Sequence, residues 1–366
     1  MSQYRIIILG KIPPPYLGTS VWFEILRKSS LNDYFQIQWF NVNVHKDFST
    51  LGKGNIRNIW PNIKLYFRFR QVIRAFKPDL VLIPISQSTP GFLKDSIFIR
   101  LARKKSRILI MLHGSNLKNW LSNSPDWVNR YFSDTLKETN GVIVLGKKLR
   151  SLFTQWYHES NIFVVPNGLA VNNIQLNEKD SSGIIIRYIG SLASSKGIFE
   201  LIEAARILKE THTEFKLILN GIWRDPEIKT KCMKLIQDNA LPVYYEGEVT
   251  GEQKFISYSN SDIFVFTPNK PEGHPMIIIE AMASGLPIIT TDQGAITESV
   301  FDGVNGFIVN PDSPLEIAEK LSFLIKNPEV RILMGKESRR LYEANFTEEK
   351  MVEHLKDVFN KVLEEV

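Results

Sequence analysis

The feature that most limits the fold is a repeating alternation of short apolar runs with longer amphipathic stretches. Arg5-Ile6-Ile7-Ile8-Leu9 ends at Gly10. Leu80 to Ile85, Arg107 to Leu112, Gly141 to Leu145 and Ile162 to Val165 repeat the theme. Runs of this length, rich in branched residues and apolar at successive positions, belong to parallel strands buried on both faces. The intervals carry helical spacing: Val21, Phe23, Ile25 and Leu26 follow Gly18-Thr19-Ser20, and a basic helix covers 63–76 with Leu65, Phe69, Val72 and Phe76 facing a core. The polar stretch Val171–Gly183 reads as a linker. The rhythm then restarts with a strand at Ile184–Ile189 and a helix at Ile198–Lys209. Strands at Lys216–Leu219, Val243–Tyr245, Ile263–Phe266, Pro287–Thr290 and Gly306–Val309 complete it. Two such series predict an α/β protein of two doubly wound Rossmann-like domains facing across a cleft. Their boundaries are 1–170 and 171–347, followed by a helix over 348–366 with Met351, Leu355, Val358 and Val362 on one face.

Composition narrows the class of function. Residues 1–170 hold 24 Lys and Arg against 9 Asp and Glu, whereas the remainder holds 21 against 30. Opposite fields on the two halves imply different partners. The basic half, with Lys64 to Arg74 and Arg100 to Lys105, suits an anionic membrane surface. The single cysteine, Cys232, excludes a disulfide framework. No apolar run approaches the roughly 20 residues of a membrane span, and the first strand is too short for a signal peptide. A cytoplasmic protein is expected, and the basic stretches leave two readings open, a solvated charged face or attachment to the inner face of the membrane.

The most informative segment is Glu272-Gly273-His274-Pro275-Met276-Ile277-Ile278-Ile279-Glu280. A loop with an acid and a glycine runs into a helix starting near Pro275, and the unpaired N–H groups of a helix start attract phosphate. Carboxylates beside such a site make sense if they accept hydrogen bonds from sugar hydroxyls. The stretch closely resembles the Glu-x7-Glu signature of retaining glycosyltransferases of family 4, which have the GT-B fold. Tyr188 to Gly197 resembles that family's phosphate loop, and Val165-Pro166-Asn167-Gly168 its interdomain hallmark. Tyr245-Glu246-Gly247-Glu248-Val249 resembles its nucleobase loop. Asp292 to Glu298 and Asp302 to Gly306 match the region downstream.

The resemblance implies a metal-independent transferase without a cofactor, using a nucleoside-diphosphate sugar donor and a glycan or lipid-linked acceptor in bacterial surface polysaccharide or lipopolysaccharide synthesis. It implies catalytic roles for His113, Lys196 and Glu272. Glu272 would bind hydroxyls of the sugar, Glu280 the ribose, and Lys196 the diphosphate, joined by the N–H groups of Gly273, His274, Met276 and Ile277, with Pro275 in the same donor-binding stretch. Gly18, Ser191 and Val249 complete the implied donor site, and the last helix crosses back to the first domain. Ser191 stands where many members have arginine, so either Lys196 acts nearly alone or Arg187 or Arg224 supplies the charge.

Other classes fit less well. A nicotinamide oxidoreductase needs G-x-G-x-x-G after the first strand, where this chain has Gly10-Lys11-Ile12-Pro13. The acidic half argues against nucleic acid. A glycosidase would also use two carboxylates, but not beside a phosphate-type helix start. A noncatalytic sugar-nucleotide-binding relative remains the alternative.

Overall fold

The computed structural model describes residues 3–13, 18–43, 59–171, 183–211 and 214–364. Within Met1–Ala170 lie strands β1 (Arg5–Gly10), β2 (Gln36–Asn41), β3 (Leu80–Pro84), β4 (Arg107–Leu112), β5 (Gly141–Val144) and β6 (Ile162–Val164). They form one sheet in the order β2-β1-β3-β4-β5-β6, every pairing parallel. The apolar runs fill its centre: β3, β4 and β5 are buried almost throughout. Strand β2 was not anticipated. Its sequence, Gln-Ile-Gln-Trp-Phe-Asn, alternates polar with apolar because β2 is an edge strand with Gln36 and Gln38 exposed. The basic helix runs Ile59–Phe76, and its buried stripe is Leu65, Phe69 and Ile73, not Val72 as the spacing predicted. Phe67 and Arg68, Arg70 and Arg74 are exposed on the same helix.

The second unit, Val171–Thr347, holds β7 (Ile184–Ile189), β8 (Phe215–Asn220), β9 (Val243–Gly247), β10 (Ile263–Phe266), β11 (Ile288–Thr291) and β12 (Gly306–Val309). Their order is β12-β11-β10-β7-β8-β9, again parallel. Both sheets fix register in the same way. A polar side chain just ahead of one strand accepts the N–H at the start of its neighbour: Asp79 takes Arg5 N at 2.8 Å, Asn140 takes Ile108 N at 2.8 Å, and Asp262 takes Ile185 N at 2.9 Å. Residues 172–182 of the expected linker lie outside the described residues.

The last helix, Glu348–Glu364, belongs to the first unit. Its expected face, Met351, Leu355, Val358 and Val362, is buried together with Val352 and Phe359. Phe359 meets Phe35 edge-on at 5.7 Å, and Glu348 N–H donates to Leu169 O at 3.1 Å. No helix among the described residues is long and apolar enough to cross a membrane. Phe359 is fully buried, so Phe359→Ala should cost about 3–5 kcal/mol of stability. Urea unfolding checks this, and an unchanged midpoint would mean that the helix does not hold the first unit together.

Candidate active site

The second sheet changes direction at β7: the chain leaves it towards β8 and β9, then returns to build β10, β11 and β12 on the other side. Ligands bind parallel α/β sheets in the crevice outside the carboxyl ends of the strands at such a point. Two loops meet there, Gly190 to Gly197 after β7 and Thr267 to Pro275 after β10. Residues Ser194–Lys196 form a single 3₁₀ turn, ended by Gly197 at φ +70°. A Cβ at Gly197 would lie 2.0 Å from Thr267 O, so only glycine lets the loops touch. Asn269 N–H donates to Ser195 O at 3.3 Å and ties them again.

This contact brings Lys196 Nζ onto the Glu272 carboxylate, with both side chains largely withdrawn from water. Burial pushes the Glu272 carboxyl above the ordinary carboxylate range, while Lys196 pulls it down. The same ammonium sits 5.9 Å from the centre of the Phe266 ring. Beneath the loop, the buried Tyr188 hydroxyl donates to Ser191 O at 2.8 Å. On the far side, Gly294 at φ +61° lies so close that a Cβ would stand 1.8 Å from Glu272 O, and Ala295 N–H donates to Gly273 O at 2.8 Å. Glu272 is therefore held from three directions.

The helix Met276–Ala283 begins after Pro275, and the N–H groups of Met276 and Ile277 have no backbone partner among the described residues. Glu280 lies one turn on and is buried. One of its oxygens, Oε2, takes both Lys254 Nζ at 2.5 Å and the Tyr258 hydroxyl at 3.0 Å. Lys254 and Tyr258 are four residues apart on the helix Gly251–Ser259, hence on one face. Sequence reasoning missed both, because the spacing gives a shared face but not what that face meets. His274 turns inward: Nε2 is 2.6 Å from Ser299 Oγ, the ring lies 5.4 Å from that of Phe346, and burial lowers its pKa to about 4.

Ser191 lies on the loop after β7, and Val249 is half-buried between β9 and the Gly251–Ser259 helix. Gly18 and His113 belong to the first unit, Gly18 opening the helix Gly18–Lys28 and His113 following β4. His113 is half-buried, meets the Trp22 ring edge-on at 4.8 Å, and is lowered by burial to about 4. Of the two arginines considered for the charge missing at Ser191, Arg187 is committed elsewhere. Its guanidinium is buried and donates to Ser261 Oγ at 2.9 Å, Asn220 Oδ1 at 2.7 Å and Glu246 Oε2 at 2.9 Å. Arg224 is exposed on a loop tied to the loop after β7, its N–H donating to Leu192 O at 2.9 Å. Among the described residues no cluster of three or more His, Cys, Asp or Glu side chains could hold a metal ion.

Known proteins share this fold. Residues 172–345 match the family model described as Glycosyl transferases group 1, and residues 35–172 match Glycosyltransferase Family 4. An uncharacterized glycosyltransferase of Methanocaldococcus jannaschii is 24% identical over 90% of this chain and 87% of its own length. A capsular polysaccharide biosynthesis glycosyltransferase of Staphylococcus aureus is 30% identical over 53% of this chain and 52% of its own. The crystal structure of Anabaena HepE in complex with UDP and glucose superposes with a TM-score of 0.74 at 17% identity, covering 97% of this chain and 99% of that one. The fold is GT-B.

The two low-pKa histidines set a pH dependence. Each is neutral in the folded chain until about pH 4 but protonates near 6.5 once unfolded. Stability is therefore full above pH 6.5 and falls as the pH drops from there to 4, by about 3 kcal/mol for a wholly buried histidine. Chemical denaturation across this range should show a shallower slope for His274→Gln than for the parent. Equal slopes would mean that His274 charges inside the fold.

Proposed function

We propose, starting from a chain that is a GT-B glycosyltransferase with a Family 4 domain in its first half and a group 1 domain in its second, that it moves a sugar with retention of anomeric configuration from a nucleoside-diphosphate sugar to a glycan or lipid-linked acceptor. The carrying observation is the pairing of Lys196 with Glu272, which lies on the loop from β10 into the first turn of the helix Met276–Ala283. A departing nucleoside diphosphate gains negative charge, and preorganised donors placed where that charge develops lower the barrier most effectively. Lys196 meets the diphosphate as it departs, assisted by the N–H groups of Gly273, His274, Met276 and Ile277 and by Arg224 in place of an arginine at Ser191. When Lys196 turns to the diphosphate, Glu272 is freed to accept hydroxyls of the transferred sugar. Glu280, with Oε2 held by Lys254 and Tyr258, presents its other oxygen to the ribose. No divalent metal is needed, because these groups neutralise the leaving group. His113, kept neutral by burial, is the catalytic residue we assign to the first unit.

The capsular polysaccharide relative supports a role in bacterial surface glycan synthesis, and the UDP and glucose bound to the Anabaena neighbour support a nucleotide-sugar donor. The exposed Phe67 with Arg68, Arg70 and Arg74 supports attachment of the first unit to the anionic inner face of a membrane from the cytoplasm. The competing reading, a noncatalytic sugar-nucleotide binder, draws on Ser191.

Thermal-shift titration with UDP, GDP and ADP and their sugars, without added metal, tests donor binding. Glu280→Ala should weaken binding of the preferred nucleotide by about 1.5–3 kcal/mol, the loss of a charged hydrogen bond. Lys196→Ala should lower kcat roughly 10²–10³-fold with little change in melting temperature. A nucleotide shift without measurable transfer would favour the noncatalytic binder, and no shift with any of the three would remove the donor assignment.

A further inference from the structure

The first sheet has its own change of direction. The chain leaves β1 towards β2 on one side and β3 on the other. Outside the carboxyl ends of β1 and β3 lies a cavity of about 370 Å³, within the size range of small-molecule sites. Its polar lining includes Lys11, Gln87, Lys94, Asp95 and His113, and Trp22 is among its apolar lining residues.

The charges of this wall do not balance internally. Asp95 is buried, its Oδ2 accepts Ser86 N–H at 2.8 Å, and burial raises its pKa above the ordinary carboxylate range. Lys11 and Lys94 are both half-buried, and among the described residues neither forms an ion pair. Burial and the neighbouring Lys94 hold Lys11 below the ordinary lysine range, with Asp95 opposing them. Two ammonium groups thus crowd one carboxyl in a partly desolvated space, which an incoming anion relieves. Gln87 adds a second unmet demand. Its Oε1 is buried without a hydrogen-bond partner, so it seeks a donor such as a hydroxyl. Its amide nitrogen fills the space beside Gly114, where a Cβ would lie 2.0 Å from Nε2. The neutral His113 contributes hydrogen bonding and no charge.

We propose that this cavity is a binding site for a phosphorylated sugar or polyol, its phosphate paired with Lys11 and Lys94 and its hydroxyls taken by Gln87 and Asp95. The assignment of that molecule as the sugar acceptor rests on the transferase reading; the binding itself does not. Lys11 is the residue after β1 and Lys94 lies on the helix Thr89–Ala102, so the phosphate bridges two elements of the same unit.

Isothermal titration with glucose 6-phosphate, glucose, inorganic phosphate and farnesyl phosphate tests the site. The parent protein is compared with Lys11→Met, Lys94→Met and, as the control for the second unit, Lys196→Ala. The expected result is that glucose 6-phosphate binds more tightly than either glucose or phosphate. Lys11→Met and Lys94→Met should each weaken it tenfold or more at an unchanged melting temperature, and Lys196→Ala should leave it unaltered. Loss in Lys196→Ala alone would place the phosphate in the nucleotide site and overturn the proposal. Equal affinity for glucose and glucose 6-phosphate would overturn it, and so would binding of farnesyl phosphate in preference to the sugar phosphate. Nucleotide binding is read separately on the same samples. A chain that binds glucose 6-phosphate through the two lysines but no nucleotide would retain this site and lose the transferase reading, whereas the reverse result would do the opposite.

Discussion

The site in the second unit depends on one close approach, that of the loop after β7 to the loop after β10. Parallel pairing of β7 with β10 puts the two carboxyl ends side by side. Gly197 against Thr267 O then removes the last ångströms. A side chain at Gly197 would have to displace backbone, and the Lys196 ammonium would leave Glu272 with it. The lysine–carboxylate pair is thus a consequence of backbone packing, and the parallel sheet is its scaffold.

The two carboxylates are treated differently by their surroundings. Glu272 pairs with a lysine on a loop, a partner that can turn to a new anion. Glu280 sits on a rigid helix with a lysine and a fully buried tyrosine on one oxygen. Burying a charge without partners is expensive. Lys254 and Tyr258 therefore serve first to satisfy the buried Glu280 carboxylate and fix it in place, and by doing so they leave its second oxygen in a set direction. A movable pair beside an immobile one suits a site where charge shifts at one end while the other only grips.

The same economy of charge separates the units. In the second, each site carboxylate has its own lysine. In the first, two lysines share one buried carboxyl; His113 there and His274 in the second unit both stay neutral because burial disfavours the charged ring. The overall excess of basic residues before residue 170 thus has a local counterpart at the carboxyl ends of β1 and β3.

Much of this was legible in the chain. Buried parallel strands announce themselves as continuous apolar runs, so β3, β4, β7 and β10 were placed to within a residue or two, and the spacing of Glu272 and Glu280 around Pro275 marked the helix start. Edge strand β2 was invisible, since a strand wetted on one side alternates and resembles a loop. The stripe on the basic helix shifted from Val72 to Ile73, because helical spacing fixes a face only to within one residue. Sequence determined the alternation and the chemistry-bearing loops, because strand burial and helix starts are local in the chain. Which cation meets which carboxylate was decided only in three dimensions: Arg187 was withdrawn into a buried network, while Lys196 reached Glu272, 76 residues away. Pairings over such distances follow from sheet order and loop contact, and no local pattern encodes them.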